Sequence, residues 1–171
     1  MMKSALLAAA LLVTAALPAT AQSTVVVLVR HAETAAGPAE DPVLSGVGEQ
    51  RAHALALALA GADVAAVFTT QYARTGGTAE PTATAAGAER HVVQARREAR
   101  ADHIREIAER IRRDYAGRTV LVVGHSNTLP QIIEALGGPV VAPIADTEHD
   151  RLYVVTLDER GVRLVASRYG S

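Results

Sequence analysis

Cysteine is absent from the 171 residues, which excludes disulfide staples, thiolate zinc sites, iron–sulfur clusters and cysteine nucleophiles together. Tryptophan is absent too, and four tyrosines and one phenylalanine make up the whole aromatic complement. So few rings offer no platform on which to stack a nucleotide base. Neither sign of charge dominates: 17 basic side chains face 18 acidic ones, for a formal net charge of -1. A basic field able to hold a phosphate backbone is therefore missing, which argues against nucleic acid as a partner and against attachment to a membrane by charge. Lysine occurs once, as Lys3, so every later cation is an arginine.

A long apolar run occurs in one place only. Lys3 precedes an apolar stretch from Ala5 to Leu17, Pro18 breaks it, and Ala19-Thr20-Ala21 follows, which is the grammar of a secretory signal peptide. Thirteen apolar residues fall short of the ~20 that span a bilayer, and no cysteine follows to carry a lipid. Cleavage after Ala21 is predicted, leaving residues 22–171 without a membrane anchor, in the periplasm or secreted. That 150-residue remainder carries a formal charge of -2 and is long enough for one core, with about 70% of the unfolded surface buried on folding.

Strand and helix signals alternate along this remainder. Thr24 to Val29 is a β-branched run apolar on both faces, which suits the centre of a covered sheet. After a loop from Ala35 to Pro42, Ser45 can cap a helix over 46–60 that stops at Gly61. Val64 to Thr69 reads as a strand, Tyr72 to Ala86 as a helix containing Pro81 that ends at Gly87, and His91 to Gln94 as a weak strand. Ile104, Ile107, Ala108 and Ile111 mark one face of an amphipathic helix, with Asp102 placed to cap its start. Thr119 to Val123 is another buried strand, followed by helical spacing from Leu129 to Leu136 and a stop at Gly137-Gly138. Leu152–Leu157 and Val162–Arg168 flank Asp158-Glu159-Arg160-Gly161 and form a hairpin. The prediction is a three-layer α/β/α sandwich with a mostly parallel, mixed sheet and ligands outside the carboxyl ends of its strands.

Chemistry collects at those ends. Arg30-His31 follows the first strand, Arg74 lies just after the second, and His125 follows the strand at 119–123. Two guanidinium forks beside two imidazoles suit a tetrahedral dianion, and phosphate is the obvious candidate. Taken together, Leu28-Val29-Arg30-His31-Ala32-Glu33-Thr34, Leu44-Ser45-x-x-Gly48, Arg74 with Thr78-Ala79, and Val123-Gly124-His125-Ser126-Asn127-Thr128 resemble the histidine phosphatase superfamily, also called phosphoglycerate-mutase-like. The resemblance runs in order from about Val25 to Leu136 and is that of a short, exported member of bacterial type.

The resemblance implies a metal-independent phosphatase without cofactors, acting on a small phosphorylated substrate through a phosphohistidine on His31. Arg30 and Arg74 would clamp the nonbridging oxygens, with His125 as a further donor to them. His31 must be neutral at its attacking nitrogen, so its other nitrogen is expected to donate to a backbone carbonyl. For the proton donor to the leaving group, Glu98 is the nearest candidate and Glu148 a second. Mutase activity is disfavoured, because a chain this short has little room to cap the site around an intermediate. His53, His91, His103 and His149 read as surface or supporting residues, and a metal site at Glu148, His149 and Asp150 lacks converging partners. The arginines from Arg96 to Arg113 alternate with acids and read as a solvated helix face. Two other functions fit parts of the pattern. One is an exported protein that binds phosphorylated ligands without turnover; the other is a serine hydrolase, since Gly124-His125-Ser126-Asn127-Thr128 mimics a nucleophile elbow with Asp146 and His149 downstream of Ser126.

Overall fold

A computed structural model describes residues 22–37 and 40–170. The signal peptide predicted over residues 1–21 lies outside the described residues. Ten elements follow one another as β1 (Thr24–Arg30), α1 (Gly46–Ala58), β2 (Val64–Thr69), α2 (Ala73–Ala86), β3 (Glu89–Val92), α3 (Arg100–Asp114), β4 (Thr119–Gly124), α4 (Leu129–Ala135), β5 (Arg151–Asp158) and β6 (Gly161–Arg168).

The strands form one six-stranded sheet in the order β3-β2-β4-β1-β5-β6. The first four in that order run parallel, while β5 is antiparallel to β1 and β6 antiparallel to β5. Strand alternation distributes the apolar run of β1 between two cores. Val26 and Leu28 pack with Phe68, Val120 and Val122 beneath α3 and α4, through Ile107, Ile111, Ile132 and Ile133. Val27 and Val29 pack on the opposite face with Val67, Leu121 and Val123 beneath α1 and α2, through Leu55, Ala79 and Ala83. A strand covered on both sides has no polar face to show, which is why these segments read as continuous apolar runs. The predicted three-layer sandwich is the one observed.

The ends of the helices follow from local chemistry. Ser45 caps α1, its hydroxyl accepting from the Gly48 amide at 3.1 Å. Gly48 also lets α1 approach the chain after β1, because a Cβ there would lie 2.1 Å from the Glu33 carbonyl oxygen. Gly87 ends α2 in the left-handed region at φ 61°. Pro81 lies inside α2, as the sequence reading of a helix containing it has it. Helix α3 begins at Arg100, so Asp102 sits in its first turn instead of at its cap. In the terminal hairpin Asp158 pairs with Gly161, leaving a two-residue connection that is shorter than the four-residue turn predicted.

Candidate active site

Parallel pairing sets Arg30 of β1 against Gly124 of β4, so the next residues, His31 and His125, leave the sheet side by side. The His31 amide continues the ladder by donating to the Gly124 carbonyl at 3.0 Å. On the other flank of β4, Phe68 of β2 pairs with Val122, which brings the end of β2 and Thr70 to His125. The three strand ends thus form one shelf, the ligand-binding edge expected of an open α/β sheet.

The rings of His31 and His125 meet edge to face with centroids 5.5 Å apart. His31 is only 8% exposed. Its Nδ1 donates to the Ala32 carbonyl at 2.9 Å, which leaves Nε2 as the atom with the lone pair. Burial, reinforced by Arg30, Arg74 and His149, pushes the His31 pKa down to about 4, against the opposing pull of the Ala32 carbonyl. His125 is anchored through its Nε2 to the Thr70 hydroxyl at 3.2 Å. Its pKa is pushed down to about 3, by burial first and then by His31 and Arg74. Both imidazoles are therefore neutral at pH 7, and the positive charge of the site resides on its arginines.

Arg30 is buried to a similar degree and donates from one terminal nitrogen to the Ala145 carbonyl at 2.8 Å. The other terminal nitrogen lies 3.6 Å from the exposed Asp146 carboxylate, and the buried Nε has no partner. Arg74 stands with its guanidinium 4.2 Å from the centre of the Tyr72 ring and 3.4 Å from an Asp41 oxygen. Asp41 also accepts from the Ala73 amide, fixing the entry to α2. The Tyr72 ring in turn meets His125 edge to face.

The chain after His31 is held from two sides. The Ala32 amide donates to the Thr78 hydroxyl at 2.9 Å, and that hydroxyl donates to the Arg74 carbonyl at 2.7 Å, so Thr78 couples α2 to the histidine loop. Glu33 pairs with Arg51 of α1 through contacts of 2.7 to 2.9 Å, and Arg51 also donates to the Tyr169 and Gly170 carbonyls. Its neighbour guanidinium holds the Glu33 carboxyl below the ordinary range.

Arg30, His31, Arg74 and His125 are brought together as the sequence pattern requires; Glu98 is not. Glu98 is exposed, outside the cleft beside His125, and makes no polar side-chain contact among the described residues. Glu148 also fails as a proton donor: bonds from Arg151, the Ala145 amide and Arg168 hold its pKa down to about 2. Those arginines likewise occupy Glu148 and Asp150, and no cluster of metal-binding side chains is found among the described residues. No triad forms around Ser126, since His149 bonds the main chain of His31 and Asp146 faces Arg30.

His149, read from the sequence only as a surface or supporting residue, takes the supporting place. Its Nδ1 donates to the His31 carbonyl at 2.8 Å, and its ring centre lies 5.7 Å from that of His31. The available signal was its place just before β5, which runs antiparallel beside β1 and so begins where β1 ends.

The profile of the histidine phosphatase superfamily, branch 1, matches residues 26–103, a span containing Arg30, His31 and Arg74. No curated protein matches the chain. The fold is similar to that of a Nakamurella multipartitia protein described as the phosphohistidine phosphatase SixA, at 22% identity over 89% of this chain and 99% of that one, TM-score 0.63. It is similar to Bacillus stearothermophilus YhfR at 18% identity, 84% and 96% coverage and TM-score 0.65. A mycobacterial glucosyl-3-phosphoglycerate phosphatase aligns at 16% identity, 88% and 100% coverage and TM-score 0.62. The family pattern thus runs through the first histidine and Arg74, and the chain shares its fold with solved phosphatases of that kind.

Proposed function

We propose that the protein is a phosphatase that hydrolyses small phosphorylated substrates, phosphomonoesters in the first instance, through a phosphohistidine on His31 and without a metal ion. The observation that carries this reading is the neutral His31 ring, tethered through Nδ1 to the Ala32 carbonyl with Arg30 and Arg74 beside it. Nε2 attacks phosphorus, the bond to the leaving oxygen breaks, and water then hydrolyses the phosphohistidine to release inorganic phosphate.

Each neighbour has a part in that sequence. Arg30, through its unpartnered Nε, and Arg74 hold the nonbridging oxygens with charge-assisted bonds. His125 adds a donor as charge develops, in a reaction where positioning and electrostatics supply most of the acceleration. His149 keeps the His31 main chain in place. A neighbour of the same fold, the mycobacterial phosphatase, has been solved with inorganic phosphate and with VO3, anions of the shape two guanidinium forks suit.

The segment Lys3 to Ala21 supports export of residues 22–171 to the periplasm or beyond. Hydrolysis of p-nitrophenyl phosphate in the presence of EDTA, beside His31→Ala, tests the reading. Turnover that persists in EDTA and disappears with His31 is the expected result. A folded wild type that binds vanadate without turnover would instead identify a phospho-ligand-binding protein.

A further inference from the structure

A cleft of about 490 Å³ opens from Arg74 and His125 on the side away from β1, bounded by the segment between β3 and α3. Its polar lining is lopsided. Arg96, Arg97 and Arg100 line it, and no carboxylate does. Elsewhere arginines are largely matched to acids: Arg51 to Glu33, Arg90 to Glu80, Arg105 to Asp102, Arg113 to Asp114 and Arg168 to Asp150. The three cleft arginines have neither an acidic partner nor a side-chain hydrogen bond among the described residues. The solvated-face reading of this stretch holds for Arg105, Arg110 and Arg113, which pair along or beside α3; Arg96 and Arg97 are exposed too, but they precede α3 and have no acidic partner among the described residues.

Two further features mark the cleft as built for an anion. The arginine segment is pinned at its start: the Ala95 amide donates to Gln71 Oε1 at 2.9 Å, and Gln71 Nε2 donates back to the Ala95 carbonyl. His103, one turn into α3, lines the cleft at 3% exposure; burial lowers its pKa against the opposing pull of the Gln94 main chain, and no side chain bonds its ring among the described residues.

The missing acid and the excess cations have one explanation in common. A departing alkoxide is about as basic as hydroxide, the conjugate base of water with a pKa of about 15.7, and needs a proton that no cleft carboxylate can supply. A departing phosphate, whose second pKa is about 6, needs only charge neutralisation.

Building on the phosphohistidine reading, we propose that the cleft receives a second phosphoryl group joined directly to the one transferred, so that the preferred substrates are phosphoanhydrides, meaning diphosphates, rather than simple alkyl phosphates. His31 Nε2 bonds to the terminal phosphorus, the bridging P–O bond breaks, and its electron pair leaves on the departing phosphate among Arg96, Arg97 and Arg100. Water then cleaves the phosphohistidine, giving inorganic phosphate and a proton. Arg74 and His125 belong to both sites, which is where the two phosphoryl groups must adjoin.

The test compares inorganic pyrophosphate, glycerol 3-phosphate and p-nitrophenyl phosphate with full-length protein in EDTA, for wild type, His31→Ala and Arg96→Ala/Arg97→Ala. Wild type should favour pyrophosphate over glycerol 3-phosphate by about 100-fold or more in kcat/KM, the scale of one general-acid contribution. The double variant should lose about 10- to 100-fold on pyrophosphate, the scale of one charge-assisted contact, and no more than about 3-fold on p-nitrophenyl phosphate. Pyrophosphate should also inhibit p-nitrophenyl phosphate hydrolysis more tightly than inorganic phosphate does, a comparison made on wild type alone. Equal rates on pyrophosphate and glycerol 3-phosphate, or equal losses on all three substrates in the double variant, would overturn the proposal while leaving the phosphatase reading intact. Absence of His31-dependent turnover on p-nitrophenyl phosphate would overturn both.

Discussion

His31 and His149 show how one hydrogen bond sets a chemical role. The Nδ1 bond of His31 to the Ala32 carbonyl selects the tautomer that leaves the lone pair on Nε2, the atom proposed to attack phosphorus, and the Nδ1 bond of His149 to the His31 carbonyl holds the main chain beneath that ring. Replacing His149 by alanine is expected to lower kcat by about 10-fold or more while changing KM little, and asparagine, whose amide can donate to the same carbonyl, should recover part of the loss. A matching fall in His149→Asn and His149→Ala would separate the rate effect from this bond. Arg74→Ala removes a guanidinium aimed at the phosphoryl oxygens, and should raise the Kd for inorganic phosphate by about 10- to 100-fold in isothermal titration. At this scale the sequence was legible where residue types are chemically rare in combination: Arg30-His31, Arg74 and His125, singled out together, are brought to one edge of the sheet. Glu98 misled because proximity to the third strand was its only credential, and position along a chain does not say which way a side chain faces. His149 could not be told from the other histidines read as surface or supporting residues, because nothing local distinguishes it from any histidine flanked by acids.

The elements hold that residue geometry through a few close approaches. Gly48 admits α1 to within contact of the Glu33 main chain, while Arg51, one turn further along, grips the Glu33 carboxylate. Gly48→Ala must push α1 from the loop that carries His31, and should destabilise by about 2 kcal/mol or more in urea unfolding, as other overpacked sites do. Arg51→Met leaves Glu33 without its partner; because both groups retain some solvent contact, a smaller loss of about 1 kcal/mol is expected by the same method. Thr78 does similar work from α2. Strand and helix order could be read from the chain because apolar periodicity and glycine stops are local signals. Pairing of β5 with β1 could not, since hairpin chemistry fixes β5 against β6 and says nothing of the edge it joins. That unseen pairing is also what delivers His149 to the site.

Across the whole molecule, two buried neutral histidines tie stability to pH. The folded pKa values of about 4 for His31 and about 3 for His125 lie below the ordinary value of 6.5, so the unfolded chain takes up protons before the folded one does. Their burial therefore leaves stability untouched above pH 6.5 and removes it progressively as pH falls towards 4 and below. Each unit of that window is worth up to about 1.4 kcal/mol per histidine. Thermal unfolding should show Tm falling between pH 6.5 and 4, and His125→Asn should fall less steeply than wild type. An equal slope in the variant would mean that His125 does not titrate as its burial requires. On the proposed mechanism the same neutrality would keep Nε2 of His31 free to attack in mildly acidic solution, so the loss of kcat/KM on the acid side should follow a pKa well below 6.5.

All of these expectations depend on His31 accepting the phosphoryl group, and that step can be observed directly. Full-length protein mixed with p-nitrophenyl phosphate in EDTA, quenched in alkali within the first turnovers and digested, should yield a peptide containing residues 24–34 that carries one phosphoryl group on His31, stable to base and labile to acid. Recovery of the phosphoryl group on another residue, or its appearance unchanged in His31→Ala, would contradict the account.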